Sequence, residues 1–183
     1  MSLYKDETLK EAVLNLSQKE KDKLLIRLIN KDKMLIKQLH FELLEDEVDL
    51  EDRITELKAK LDGDFDVSQA TIKNLPMYHN YRQLHAFLRH ESGIVNEHEK
   101  ITKDKLSVVE CRLIILEEAF TRFPRLFEPS ALAPALKLHK YIQGRMKNLL
   151  TAFDKLHEDH QFDLQNQMDY VLSFAQEHRL TLS

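Results

Sequence analysis

The sequence predicts an all-α protein: a bundle of about five to seven helices, several of them long, with antiparallel neighbours. The 183 residues include only three glycines and four prolines, too few for the turns of a β protein. Leucine and isoleucine recur every three or four positions over long stretches, which is the spacing of one helix face. Residues 17–61 contain neither glycine nor proline, so long helices are expected there.

Composition sets the broad class of the protein. A hydrophobic content of 43% can form one core, and a single domain spanning 1–183 is expected. No apolar run approaches the roughly 18 residues that a membrane span needs, and the charged N-terminal segment does not resemble a signal peptide. A lone cysteine, Cys111, excludes an internal disulfide. The sequence therefore predicts a cytoplasmic protein without a membrane segment.

The N-terminal third is expected to form short helices. Apolar residues at helical spacing predict a first helix within 1–16, and Ser17 with Glu20 forms a capping box that begins a second. In a continuous helix, Asp32 would lie on the apolar face, and burying its charge there would cost free energy. We therefore expect a break at 30–32, with Asp32 capping the next helix. The alternative is one helix in which Asp32 meets a cation from elsewhere.

Residues 33–62 show no convincing stop and predict a long helical arm, although Asp49 could cap a fresh helix within it. Gly63 is expected to end that helix, followed by a loop at 63–69 and a short helix before Pro76. The arm carries an apolar stripe, which predicts a helix–helix contact within the chain or, as the alternative, with a second copy. The stripe consists of Leu50, Ile54, Leu57 and Leu61.

The second half predicts three longer helical regions. One starts near Tyr78, and its Ser92–Gly93 pair is expected to loosen it. Residues 106–123 form the clearest core helix, apolar on most sides and ended by Pro124. The three prolines within 124–134 predict a hinge, and 132–178 then form one very long helix or two helices meeting near 158–163.

The histidines suggest one weak candidate metal site. Asp154, His157 and His160 are spaced three residues apart, which can place ligands on adjoining helical turns. Helical di-iron sites use Glu-x-x-His pairs from two helices, and no second such pair occurs. We therefore expect no bound metal and no cofactor.

Two polar residues fall on an apolar face. Counted in helical phase from Tyr78, Glu91 and His98 lie among aliphatic residues. Being seven residues apart, about 10 Å along the axis, they cannot pair with each other and would each need a partner from another helix. A carboxylate and an imidazole facing a cleft could perform acid–base chemistry, but structural hydrogen bonding is the preferred interpretation. Cys111, among aliphatic residues, is expected to be unreactive.

The remaining evidence favours an interaction protein over an enzyme. No phosphate-binding loop, nucleophile elbow or zinc-protease motif is present. Residues 17–37 carry a net charge of +4 and residues 42–56 a net charge of −7, a polarity suited to a protein partner or a second copy.

We expect a non-enzymatic helical interaction or scaffold protein. The alternatives are a metal- or small-ligand-binding bundle that uses the histidines, and a nucleic-acid-associated protein that uses 19–37. The acidic stretch makes nucleic acid the weaker of these.

Overall fold

A computed structural model describes residues 5–180, and this part of the chain contains eight α-helices and no strand. The all-α prediction is confirmed, and the helix count is slightly above the five to seven expected. The helices are α1 (Glu7–Leu14), α2 (Gln18–Ile29), α3 (Lys33–Leu44), α4 (Glu47–Thr71), α5 (Tyr78–Thr102), α6 (Lys105–Arg122), α7 (Ala133–Phe153) and α8 (Glu158–Glu177).

Backbone contacts divide the chain into two compact units, one ending at Glu45 and the other beginning at Asp46. The first unit contains α1, α2 and α3, and the second contains α4 to α8. Such a division describes packing density and not independent folding, so the prediction of a single domain stays a prediction.

The first unit begins and ends its helices where the sequence indicates. Ser17 accepts a hydrogen bond from the Glu20 backbone N–H, and the Glu20 carboxylate accepts one from the Ser17 backbone, which completes the capping box. Asp32 caps α3 by accepting from the backbone N–H groups of Met34 and Leu35. The break at 30–32 is thus present. None of the residues in α1, α2 or α3 is buried.

The expected arm over 33–62 is two helices, because α3 ends at Leu44 and α4 begins at Glu47. Asp46 caps α4, and Asp49 reaches back to the Asp46 backbone to complete a second capping box. The expected stop at Gly63 is wrong, because α4 continues through it to Thr71 and includes the predicted loop at 63–69. The reason is packing, since Phe65 and Ser68 are buried beyond the glycine and hold the backbone helical. The short helix expected before Pro76 is absent, since residues 72–76 are not helical.

Helix α6 lies at the centre of the second unit and packs against α4, α5, α7 and α8. Nine of its 18 residues are buried, including Leu113 and Leu116 at 0% and 2% exposure. The helix ends at Arg122 as the following Pro124 predicts, and a 3-10 turn occupies Pro124–Leu126. A helix apolar on most sides is expected in the middle of a bundle, and α6 occupies that place.

Pairs of side chains show how some helices are oriented. Lys58 pairs with Glu110, and Asp62 and Asp66 pair with Arg122 further along both helices, so α4 and α6 run in the same direction. Helices α6 and α8 also share a direction, through hydrogen bonds from Gln167 to Glu117 and between Tyr170 and Thr121. The prediction of antiparallel neighbours stays a prediction for helices adjacent in sequence.

The two connections in the C-terminal half differ from each other. The proline-rich segment 124–134 is anchored, because Leu126 and Phe127 are both fully buried. Residues 132–178 form two helices, and the break lies between Phe153 and Glu158, slightly before the expected position. Among residues 5–180, no helix is long and apolar enough to cross a membrane.

Candidate functional site: a basic groove along α5 and α7

Polar residues form a stripe on α5 and another on α7, and the two stripes face each other. On α5 the stripe runs from Arg82 to Glu99, and on α7 it runs from Lys137 to Asn148, with Lys155 two residues beyond the end of that helix. Within each helix the members are three or four residues apart, so each set occupies one helix face. The members are Arg82, His85, Arg89, Ser92, Asn96 and Glu99 on α5, Lys137, Tyr141, Arg145 and Asn148 on α7, and Lys155 after α7.

Two separate depressions lie between the stripes, and together they are here called the basic groove. Its first end is an open depression of about 540 Å³ between the starts of α5 and α7. Its second end is a depression of about 600 Å³, which the edge of α6 also lines through Lys105 and Arg112. The stripe from Arg82 to Glu99 spans about 25 Å at ~1.5 Å per residue. The polar stripe that links the two depressions is therefore as long as a helix of several turns.

The middle of the groove is closed and fixed by hydrogen bonds. Tyr141 donates to the Leu88 carbonyl oxygen at 3.1 Å, so the Ser92 hydroxyl, 2.7 Å away, donates to the Tyr141 oxygen. A small enclosed cavity of about 20 Å³ lies beside this pair. These bonds hold α5 and α7 at a constant separation, which gives the groove a preformed floor.

The charge of the groove is strongly one-sided. Eight cationic side chains line its two depressions, and Glu99 is the only acidic residue that lines them. Of the eight, only Arg112 makes an ion pair within residues 5–180. This concentration occurs in a chain whose net charge is −4. The eight are Arg82, Arg89, Lys105, Arg112, Lys137, Arg145, Lys147 and Lys155.

Arg112 and Arg145 illustrate two different states of a groove cation. A terminal nitrogen of Arg112 donates to Glu99 at 2.5 Å and to the Asn96 side-chain oxygen at 3.3 Å. The Arg145 guanidinium lies over the Tyr141 ring, 5.2 Å from its centroid, and its Nε is buried with no hydrogen-bond partner in the described part of the chain. The ring thus holds the Arg145 guanidinium beside the groove, and Arg145 makes no ion pair in the described part of the chain.

The positive potential also affects the histidine in the groove. Burial lowers the pKa of His85 below its usual value, and the nearby charges of Arg89 and Lys137 lower that pKa further. His85 is therefore neutral at pH 7, and its ring packs against Tyr141 with centroids 5.0 Å apart. Grooves lined by one sign of charge concentrate the field and attract ligands of the opposite sign.

On the α4–α6 side of the same unit, the cations are paired. Arg122 contacts Asp62, Asp66 and Glu118, and Lys58 contacts Glu110. Lys60 lies 2.6 Å from Asp64. The unpaired cations of the basic groove thus distinguish the α5–α7 face from the α4–α6 face.

The structure does not assemble the candidate metal ligands. Asp154 follows the end of α7, and His157 caps α8 by accepting from the Asp159 backbone N–H. The rings of His157 and His160 are 6.4 Å apart, and both residues are exposed. Within the described residues, no group of three His, Cys, Asp or Glu side chains is placed to hold a metal ion.

Glu91 and His98 are both in the interior. His98 is 8% exposed, and its Nε2 lies 2.9 Å from the Ser107 hydroxyl of α6, a partner from another helix. Glu91 is fully buried, and neither carboxylate oxygen has a partner among residues 5–180. Burial raises the pKa of Glu91, and the negative charge of Asp64 raises it further, while His90 and Lys60 oppose these effects. A nearby cleft of about 440 Å³ between α4 and α5 is lined in part by Glu91, Asp64 and Lys60.

The apolar stripe of Leu50, Ile54, Leu57 and Leu61 lies on α4 and is here called the α4 seam; its residues differ in burial along the helix. Leu57 and Leu61 are buried in the core of the second unit, whereas Leu50 and Ile54 are half-buried.

Cys111 is fully buried, and burial raises the pKa of its thiol to about 11. The thiol is therefore protonated at neutral pH and a poor nucleophile.

The groove residues were not among the candidates from the sequence. The residues of the α5 stripe recur at helical spacing in the sequence, and so do those of the α7 stripe. What the sequence did not show is that these two helices lie side by side. Comparisons with protein-family models, curated protein sequences and solved structures found no match to this chain. The function is therefore inferred from the geometry of the basic groove.

Proposed function

We propose that the protein is a non-enzymatic interaction protein that binds an acidic segment of a partner protein in the basic groove. The single observation that supports this is the row of eight cations, seven of them without an ion-pair partner among the described residues. Unpaired like charges repel one another and reduce the stability of the fold. A partner that supplies carboxylates along the groove would remove that repulsion.

One feature favours an acidic peptide over nucleic acid. Single-stranded nucleic acid needs exposed aromatic rings on which bases stack. Tyr78, at one end of the groove, is 57% exposed, whereas Tyr141 is half-buried beneath Arg145. The groove thus offers charge and hydrogen-bond donors with little stacking surface.

The other two functions considered from the sequence have less support. The candidate ligands Asp154, His157 and His160 are exposed, and the structure assigns His157 a capping role. Residues 19–37 form α2 and the start of α3, where exposed Leu25 and Ile26 lie between the cations. That mixture of apolar and basic surface suits a protein contact better than a phosphate backbone.

A binding titration tests the proposal. Fluorescently labelled poly-L-glutamate is the probe, with single-stranded oligonucleotide and inorganic phosphate as competitors. We expect binding that weakens steeply with salt, because the contacts are between exposed charges. Reversing two exposed groove cations, Arg89→Glu with Lys147→Glu, is expected to weaken binding by about tenfold or more.

A matched variant controls for net charge. Lys73→Glu with Arg125→Glu changes the charge equally at exposed positions outside the groove, and it should retain the affinity of the unmodified protein. Equal weakening by both double variants would show non-specific attraction and contradict the proposal. Tighter binding of the oligonucleotide than of poly-L-glutamate would instead assign the groove to nucleic acid.

A further inference from the structure

The first unit exposes an unusual amount of apolar surface. In α2, Leu25, Ile26 and Leu28 are 57%, 60% and 50% exposed, and α3 ends with Leu43 and Leu44 at 71% and 73%. No residue of its three helices is buried. Helices of 8 to 12 residues are marginal by themselves and normally gain stability by packing an apolar face. This surface therefore needs a cover from outside the unit.

The apolar residues of α2 are accompanied by positive charge. Lys19, Lys23 and Arg27 are exposed on α2, and residues 17–37 as a whole carry a net charge of +4. The cover is consequently expected to be both apolar and acidic. An acidic side chain at its edge would pair with the lysines, while its apolar residues covered the leucines.

The start of α4 has these two properties. Leu50 and Ile54 of the α4 seam are only half-buried, and Val48, on the opposite side of the helix, is 63% exposed. Exposed Glu51 lies between these two sides and exposed Glu56 lies on the Val48 side, and residues 42–56 carry a net charge of −7. This chain thus contains an apolar surface with a basic edge and an apolar surface with an acidic edge.

We infer that two copies of the chain associate, with α2 of each copy on the start of α4 of the other. A two-fold symmetric pair forms this contact twice, because each copy supplies one basic and one acidic surface. This contact does not involve the basic groove, which lies on α5 and α7. A second copy is the occupant that the charges of this chain fit, because its acidic segment complements the basic one.

Paired charge reversals test the inference in the full-length protein. The basic-edge variant is Lys19→Glu with Lys23→Glu, and the acidic-edge variant is Glu51→Lys with Glu56→Lys. Sedimentation velocity over a range of micromolar concentrations should show a dimer for the unmodified chain. For each variant alone, the dissociation constant of the dimer should rise by about tenfold or more, because like charges then face each other in both contacts.

Mixing the two variants gives the decisive measurement. In a mixed pair, the reversed edge of one copy meets the reversed edge of the other, and the two unmodified edges also meet. We expect the mixture to recover the dimer. As a control, Glu128→Lys with Asp163→Lys changes charge at exposed positions elsewhere and should leave association unchanged.

Three results would overturn the inference. The first is an unmodified chain that stays monomeric at the highest concentration. The second is a dimer that both variants retain. The third is a pair of dissociated variants that do not recover on mixing, since the charges would then act within one chain. Circular dichroism of each variant establishes that its helices remain formed, so a folding defect cannot be taken for dissociation.

Discussion

Glu91 is the residue whose environment is least typical of a folded protein. Its carboxyl is fully buried, and no described residue donates a hydrogen bond to either oxygen. An unsatisfied buried polar group costs about 1–3 kcal/mol, and more when it is charged. The raised pKa keeps Glu91 protonated over a wider pH range and so limits that cost.

The stability of the protein should therefore fall as pH rises through the titration of Glu91. The unfolded carboxyl loses its proton near pH 4.5, whereas the folded one holds it to a higher pH. Between those values the unfolded state binds fewer protons, so the free energy of unfolding decreases with pH. The variant Glu91→Gln removes this titration and should gain stability relative to the unmodified protein as pH rises from 4.5 to 8.

Urea denaturation at several pH values measures this difference. A constant difference between Glu91→Gln and the unmodified chain across the range would show that Glu91 titrates alike in the folded and unfolded states.

Core packing at α6 supplies a second prediction at this scale. Leu113→Ala should reduce the free energy of unfolding by about 2–5 kcal/mol, because it removes buried methyl groups and leaves a cavity. Leu116→Ala should have a similar effect. Phe162, at 82% exposure on α8, is the control, and its change to Ala should alter stability by less than ~0.5 kcal/mol. Similar losses for Phe162 and Leu113 in chemical denaturation would contradict the assignment of α6 as the core helix.

At the scale of whole helices, Gly63 is the clearest test of the architecture. It lies inside α4, and a Cβ atom added there would meet no atom within 4 Å. Alanine is a better helix former than glycine, so Gly63→Ala should stabilise the protein by about 0.5–1 kcal/mol. If Gly63 ended a helix in the left-handed conformation, alanine would be destabilising instead. Thermal unfolding of the variant distinguishes the two arrangements, because the unfolding temperature rises in the first and falls in the second.

Helix boundaries were predictable where a side chain makes the cap itself. Ser17 and Asp32 are such cases, since each accepts from the backbone two or three residues further on. Gly63 misled the prediction because a glycine favours a helix end only when no packing holds the following turn. Phe65 supplies that packing through its contact with Phe87 of α5, which depends on tertiary structure and cannot be deduced from local sequence.

The candidate site was harder to predict than the helices. Glu91 and His98 were identified because helical phase alone places them among apolar residues. Arg89 and Lys147 instead become meaningful only when α5 and α7 lie side by side. That juxtaposition depends on how both helices pack around α6, and a single sequence contains no direct record of it.

For the molecule as a whole, the two units should differ strongly in local stability. Backbone amides are protected from hydrogen exchange when opening them exposes buried apolar surface. Helices α1 to α3 have no buried residues, whereas half of α6 is buried. Exchange followed by mass spectrometry should show amides of α2 exchanging orders of magnitude faster than those of α6 at low protein concentration. Equal protection in both helices would mean that the exposed leucines are covered even in the isolated chain.

The Tyr141–Arg145 contact gives the molecule an optical reporter of its own. The chain has five tyrosines and no tryptophan, so tyrosine dominates its near-ultraviolet emission. A guanidinium 5.2 Å from the Tyr141 ring centroid affects the electronic environment of that ring. An anion that draws Arg145 away would change the Tyr141 signal without any attached dye. Tyr141→Phe removes the ring hydroxyl and identifies which part of the emission comes from this position, so occupancy of the groove can be followed in the unlabelled protein.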